Sequence, residues 1–175
     1  MNTTIFNFLN GFAGNNSIFD NIAIFLSDNF GYLLILIMIL VLVFVKDKKE
    51  YLRQIFLILV TGAVAWIIVS IIKILIPLPR PFEVMDTVKN LLPGTETGDA
   101  FPSGHATFYT AIATSLIFYR PRFGWYFFVG ALIISIFRVV VGVHWPIDVV
   151  SGTCFGIIIA YICFFFVKKY KILGQ

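Results

Sequence analysis

An all-α fold is what this sequence predicts: an integral membrane helix bundle with about five core transmembrane helices. N-terminal interfacial helices, or a sixth span, would precede them. Three observations point there. Of 175 residues, 59% are hydrophobic and only 13% are charged, against about 45–50% and about 25% in a soluble domain. The apolar residues gather into five long stretches. None of these alternates with the period of two that a barrel strand needs, so helices are the way to satisfy the backbone in lipid.

In chain order, residues 1–29 mix Ile5, Phe6, Phe8, Phe12, Ile18, Phe19, Ile22, Ile24 and Phe25 with asparagines, Asp20 and Asp28. That mixture suits an interfacial segment better than a spanning helix. The bundle is expected over residues 30–167, within a single membrane domain of residues 1–175. Its spans are Phe30–Val45, Gln54–Ile72, Pro102–Tyr119, Phe123–Val143 and Val149–Val167. Each has about the length of roughly 17–25 residues that crosses a bilayer, the first being slightly short. The one long connection, Pro77–Phe101, carries Pro77, Pro79, Pro81, Pro93, Gly94 and Gly98 and reads as a structured loop. Its acids Glu83, Asp86, Glu96 and Asp99 read as solvated charges. The first lysine is Lys46, so the basic region of a cleavable signal peptide is missing.

Charge sets the orientation. Lys46, Lys48, Lys49 and Arg53 follow the first span, Arg120 and Arg122 the third, and Lys168, Lys169 and Lys171 the fifth. Alternation puts all of these on one side, which the positive-inside rule makes cytoplasmic. The net charge of +4 is scattered, with no basic stripe for nucleic acid. Cys154 and Cys163 are nine residues apart on one apolar segment, roughly 13 Å along a helix, which is too far for a disulfide. No metal-ligand pattern surrounds them.

The opposite face collects the chemistry. Lys73 ends the second span, and Arg80 follows it in Pro79-Arg80-Pro81. Pro102-Ser103-Gly104-His105 opens the third span, Arg138 lies in the last turns of the fourth, and His144 and Asp148 bracket the start of the fifth. Taken singly, a lysine at a helix end snorkels, an arginine in a loop is solvated, and a Pro-Ser-Gly run starts a helix. Arg138 inside an apolar span demands a partner or a polar cavity. Together, three cations, both histidines of the chain and one carboxylate share one membrane face.

That set suits a dense anion. Arginine makes forked contacts with phosphate oxygens. Ser103, Gly104 and His105 lie where free backbone N–H groups and the helix dipole favour an anion, and Gly104 permits close approach. Lys73, Arg80, Ser103, Gly104 and Arg138 are therefore the expected phosphate-binding residues, with no metal and no other cofactor. Asp148, in the first turn of its helix, can reach back to His144. It would fix the tautomer and leave the other ring nitrogen as nucleophile. His105, without a carboxylate at similar spacing, is the expected general acid.

Lys73-(six residues)-Arg80-Pro81, Pro102-Ser103-Gly104-His105 and Arg138-(five residues)-His144-(three residues)-Asp148 resemble the three signature motifs of the type 2 phosphatidic acid phosphatase superfamily. The resemblance covers Lys73–Asp148. One position departs: Phe137 stands before Arg138, where the family usually has serine. The short length, Asn16-Ser17-Ile18-Phe19-Asp20…Phe25, the brief basic loops and Leu91-Leu92-Pro93 are similar to bacterial undecaprenyl-diphosphate phosphatases associated with bacitracin resistance. The resemblance implies a multi-pass cell-membrane enzyme with an extracytoplasmic site. It would hydrolyse undecaprenyl diphosphate through a phosphohistidine. Phosphatidate or phosphatidylglycerol phosphate is the alternative substrate within the class. A small transporter is the alternative outside it, but its charges belong near the bilayer midplane on broken helices. The partners implied are the lipid substrate and membrane lipids, not nucleic acid, and the sequence leaves oligomeric state open.

Overall fold

The structure, a computed structural model, describes residues 2–41, 44–94 and 99–170. Its helices are α1 (Asn2–Asn10), α2 (Ser17–Ile24), a π-helical turn (Phe25–Asn29), α3 (Phe30–Leu40), α4 (Lys48–Leu75), α5 (Pro81–Val84), α6 (Gly104–Tyr119), α7 (Pro121–Val140) and α8 (Pro146–Lys169). Among the described residues there is no strand. Sequence-local signals start each long helix. Asn16 caps α2 by accepting from the backbone N–H of Ile18 at 2.8 Å, Asp47 caps α4 by accepting from Glu50 at 3.1 Å, and prolines open α7 and α8.

Helix α6 is the centre, buried along most of its length and flanked by α4, α7 and α8. Glycines set its distance from α8. A Cβ on Gly152 would lie 2.7 Å from the Ser103 carbonyl oxygen, and one on Gly156 would lie 2.6 Å from that of Thr107. In lipid, with no hydrophobic force pressing helices together, such small residues let the backbones touch. The outward faces are apolar, as at Ile67, Ile74, Leu75 and Phe165, the inverse of a soluble surface.

At the end carrying Arg120, Met38, Tyr51, Ile55, Leu116 and Phe127 form a core. There the Tyr51 hydroxyl donates to the Met38 carbonyl at 2.8 Å, which pins α3 to α4. At the other end, α1, residues 77–94 and 99–103 and the turn after α7 form a cap. Asn10 ties them together: its Nδ2 donates to the carbonyls of Lys89 and Val140, both at 2.9 Å, and its Oδ1 accepts from Lys89 N at 3.0 Å.

The N-terminal segment is organised differently from the expected division at residue 29. Ser17–Leu40 is one continuous helix of 24 residues, long and apolar enough to cross a membrane. Only α1 stands apart, and there is no sixth span among the described residues. The acids that argued against a spanning helix have partners. Asp20 accepts from Gly14 N at 2.9 Å beyond the helix start, and Asp28 points into the bundle. Four helices meet the length and composition expected of a span. Helix α6 has only 16 residues and is the fifth, shielded by the others. Five apolar helices make this a multi-pass membrane protein.

Candidate active site

A cavity of about 590 Å³ lies at the capped end. Lys73, Arg80, Asp99, Gly104, His105, Arg138 and His144 line it, with Trp66, Val69 and Ile74 of α4 and Pro77 just beyond it as an apolar wall. Six of the eight residues singled out in the sequence thus share one wall. The other two, Ser103 and Asp148, are fully buried behind it.

Each position follows from its element. Lys73 sits in the last turn of α4. Arg80 precedes Pro81, which opens α5, and its N–H donates to Glu83 Oε2 at 2.6 Å. Ser103 caps α6: its hydroxyl accepts from Ala106 N at 3.4 Å, and its own N–H donates to the Asp148 carbonyl at 3.0 Å. The hydroxyl therefore serves the helix rather than the cavity, and the Ser103 backbone ties α6 to α8. At Gly104 an added Cβ would press on the Trp66 ring at 3.3 Å. Arg138 is in the last turn of α7. A left-handed Gly142 (φ 86°) then reverses the chain, which delivers His144 to the cavity before Pro146 opens α8.

His144 Nδ1 is 3.5 Å from Asp148 Oδ2. The same oxygen accepts from Trp145 N at 2.8 Å, so one carboxylate caps α8 and stands beside the imidazole, whose Nδ1 makes no hydrogen bond within the protein. The ring's other nitrogen is free to face the cavity. Burial first, then the charges of Arg138, Arg80 and Lys73, hold the His144 imidazole well below its ordinary pKa. It is therefore neutral, the form a nucleophile needs.

Two carboxylates that sequence reasoning passed over are part of the site. Asp99 is not a solvated loop charge. Its Oδ1 accepts from Arg80 Nε at 2.9 Å and also from Nη2. The Lys73 ammonium donates to the Asp99 carbonyl and lies 3.3 Å from Oδ2. Arg80 is held a third time, its Nη1 donating to the Val143 carbonyl at 3.0 Å. Glu83, likewise read as solvated, holds the Arg80 backbone. The second carboxylate, Asp28, lies 3.4 Å from His105 Nε2 and 3.5 Å from Arg138 Nη1. His105 thus has a carboxylate after all, supplied from another helix, so the absence of one no longer separates the two histidines. What separates them is burial: the His144 side chain is 2% exposed and that of His105 is 23% exposed. Asp28 carries a sequence signal, an acid inside an apolar run. Asp99 carries none, because its partners are 19 and 26 residues away.

Arg138 Nε is buried and has no partner within the protein. Phe137, where the related motif has serine, packs with Ala23, Val140, Val141 and Val143 in the cap. Among the described residues no three His, Cys, Asp or Glu side chains are grouped to hold a metal ion. The arrangement can hold a phosphoryl group among three cations and a helix N-terminus, against a neutral imidazole on one side and a second histidine on the other.

Comparison with known proteins gives the family. The profile of the PAP2 superfamily matches residues 50–172. The chain is 32% identical over 169 residues to undecaprenyl-diphosphatase BcrC of Bacillus subtilis (strain 168), covering 95% of this chain and 84% of that protein. It is 27% identical over 175 residues to a protein of Bacillus licheniformis named bacitracin transport permease protein BcrC, covering 100% and 85%. Among solved structures, the crystal structure of Aquifex aeolicus LpxE superposes with a TM-score of 0.75 at 25% identity, covering 93% of this chain and 94% of that one.

Proposed function

The chain belongs to the PAP2 superfamily, and from that premise and the geometry of the cavity we propose that it hydrolyses a lipid diphosphate, undecaprenyl diphosphate, to undecaprenyl phosphate and inorganic phosphate. The observation that carries the reading is the placement of His144: buried, 3.5 Å from Asp148, in a cavity shared with Lys73, Arg80, Arg138, Gly104 and His105.

The terminal phosphoryl group sits among Lys73, Arg80 and Arg138, with the N–H groups at the start of α6 beneath it. The free ring nitrogen of His144 attacks phosphorus, while Asp148 supports the positive charge that grows on the ring. The bond from phosphorus to the bridging oxygen breaks, and its electron pair stays with undecaprenyl phosphate. His105 protonates that oxygen. Water then attacks the phosphohistidine, His105 takes its proton, and phosphate leaves. Charge on the transferring group is balanced by fixed cations rather than by covalent chemistry elsewhere. The apolar wall of Trp66, Val69 and Ile74 suits a hydrocarbon chain beside the headgroup.

The site is assigned to the extracytoplasmic face, since the three basic clusters lie at the far end of the helices. The deciding experiment traps the intermediate. Purified protein incubated with substrate labelled in the terminal phosphate should yield acid-labile, base-stable label on the chain, and His144→Ala should lack it. Label that persists in His144→Ala and vanishes in His105→Ala would reverse the two histidines. A clear preference for phosphatidate or phosphatidylglycerol phosphate in kcat/KM would replace the substrate.

A further inference from the structure

The mechanism above uses one carboxylate, Asp148, and leaves Asp28 without a role. Asp28 is the twelfth of 24 residues in the otherwise apolar Ser17–Leu40 helix, where an acid needs a reason. Its Oδ1 lies 3.4 Å from His105 Nε2 and 3.5 Å from Arg138 Nη1. No other carboxylate is paired with either residue among the described residues. Asp20, the helix's other acid, is spent on the Gly14 N–H.

The helix departs from α geometry at this place. Phe25–Asn29 forms a π turn, in which the Phe30 N–H reaches back five residues to the Phe25 carbonyl. Such turns are uncommon, and they re-aim side chains at functional sites. One added residue rotates the helix by about 100°, enough to turn a side chain from a neighbouring helix to the cavity. Three residues further on, Gly31 lies against the Tyr109 ring, which occupies the space a side chain would need. That contact brings α3 down on α6 one turn below His105, where the Tyr109 and His105 rings are 6.1 Å apart. A local distortion and a close helix contact therefore flank Asp28 and set its distance from both partners.

We propose that Asp28 is the positioning residue of the general acid, fixing His105 through Nε2 and, through the same oxygen, one Nη of Arg138. The inference rests on the reading of His105 as the acid. With Nε2–H given to Asp28, the proton delivered to the leaving oxygen is carried on Nδ1. The phosphorus–oxygen bond breaks, the leaving oxygen keeps the electron pair and takes that proton, and His105 becomes neutral. In the second half, His105 recovers a proton from the attacking water, while Asp28 stays ionised throughout. Anchoring Nη1 also fixes the orientation of the Arg138 guanidinium, which lines the same cavity. Each histidine thus works with its own carboxylate: His144 with Asp148 from the same turn, and His105 with Asp28 from another helix.

Leaving-group dependence is the test, because a merely structural acid would lower all rates together. Three substrates are compared in detergent micelles: farnesyl monophosphate, which expels an alkoxide; farnesyl diphosphate, which expels a phosphate ester; and p-nitrophenyl phosphate, which expels a stabilised phenolate. General acid catalysis is worth about 10²–10⁴-fold, and it matters most for the alkoxide. Asp28→Ala is expected to lower kcat about 10–100-fold for the monophosphate, a part of that range, less for the diphosphate and least for the aryl ester. Asp28→Asn, which keeps shape and an acceptor oxygen, should show the same order with smaller losses, and it guards against misfolding of the alanine variant. In a His105→Ala background, Asp28→Asn should no longer discriminate among the three leaving groups, and any loss left through Arg138 should be equal for all three. Equal losses on all three substrates, or no loss on any, would overturn the proposal. If His105→Ala itself shows no leaving-group dependence, the assignment of the acid fails first. If His105→Ala shows it and the Asp28 variants do not, only the role of Asp28 fails.

Discussion

Replacing Gly152 and Gly156 in turn by alanine separates packing from catalysis. Both glycines of α8 face α6, one turn apart. A Cβ on Gly152 would stand 2.7 Å from the Ser103 carbonyl oxygen and 3.0 Å from Thr107 Oγ1, and one on Gly156 would stand 2.6 Å from the Thr107 carbonyl oxygen. Ordinary contact begins at 3.4 Å, so either alanine must push the helices apart by about 0.7 Å, since backbone cannot yield as a side chain does. Overpacking of this kind costs about 1–3 kcal/mol, and the two variants should lose similar thermal stability in detergent. Their effect on the reaction should differ. Gly152 lies one turn below Asp148 and against Ser103, where the Ser103 N–H to Asp148 carbonyl bond joins the proposed phosphate-binding end of α6 to the His144 turn. A misplacement of about 1 Å can cost about 100-fold in rate. Gly152→Ala should therefore lower kcat about 10–100-fold by the same argument, and Gly156→Ala, a turn further from the chemistry, by clearly less. Phosphate release from farnesyl diphosphate, alongside the unfolding midpoint of each variant, decides it. Equal kcat losses at equal destabilisation, or wild-type kcat in Gly152→Ala, would refute the coupling of this helix contact to the site.

Three further outcomes are expected. His144 should remain neutral at pH 6, because its folded pKa is pushed down by burial and by Arg138, Arg80 and Lys73, so the imidazole takes up a proton only at more acidic pH. Ring-nitrogen NMR of labelled histidine in nanodiscs, with His105→Gln for assignment, checks this, and a midpoint at or above 6.5 would contradict it. Asn10→Ala strands the Lys89 N–H and the carbonyls of Lys89 and Val140, at about 1–3 kcal/mol for a buried group left unpaired. It should lower the unfolding midpoint and reduce kcat as well, since Val140 opens the turn to His144; an unchanged midpoint would show that the cap is held by other contacts. In a background lacking Cys154 and Cys163, a cysteine at Asp86 should react with an impermeant maleimide in intact cells and one at Arg122 only after permeabilisation. The reverse pattern would place the site on the cytoplasmic face.

The helices were legible because a bilayer allows few answers. Stretches such as Gln54–Ile72 and Val149–Val167 are long, uncharged and without alternation, and capping residues and prolines mark where they start. The N-terminus was harder for a physical reason. Asp20 and Asp28 made residues 17–29 look too polar to continue a span, yet one is satisfied at the helix start and the other inside the bundle. Composition counts charges, and it is blind to whether a partner waits on another helix.

The same blindness runs through the site. Lys73, Arg80, His105, Arg138 and His144 could be gathered from sequence because helix ends on one membrane face must lie near each other. What that reasoning could not supply is the electrostatic pairing of the substrate-free site. Lys73 and Arg80 share Asp99, His105 and Arg138 share Asp28, and His144 leans on Asp148. Three buried or half-buried cations without anions would repel one another across a cavity of low dielectric, so the fold supplies a carboxylate to each group of neighbours. This changes what substrate binding requires. On the proposed mechanism a diphosphate would not enter a bare positive hole; it would have to take over donors that Asp99 holds. On that mechanism affinity would depend on how readily Asp99 gives up Lys73 and Arg80, and turnover on how firmly Asp28 and Asp148 hold the two histidines.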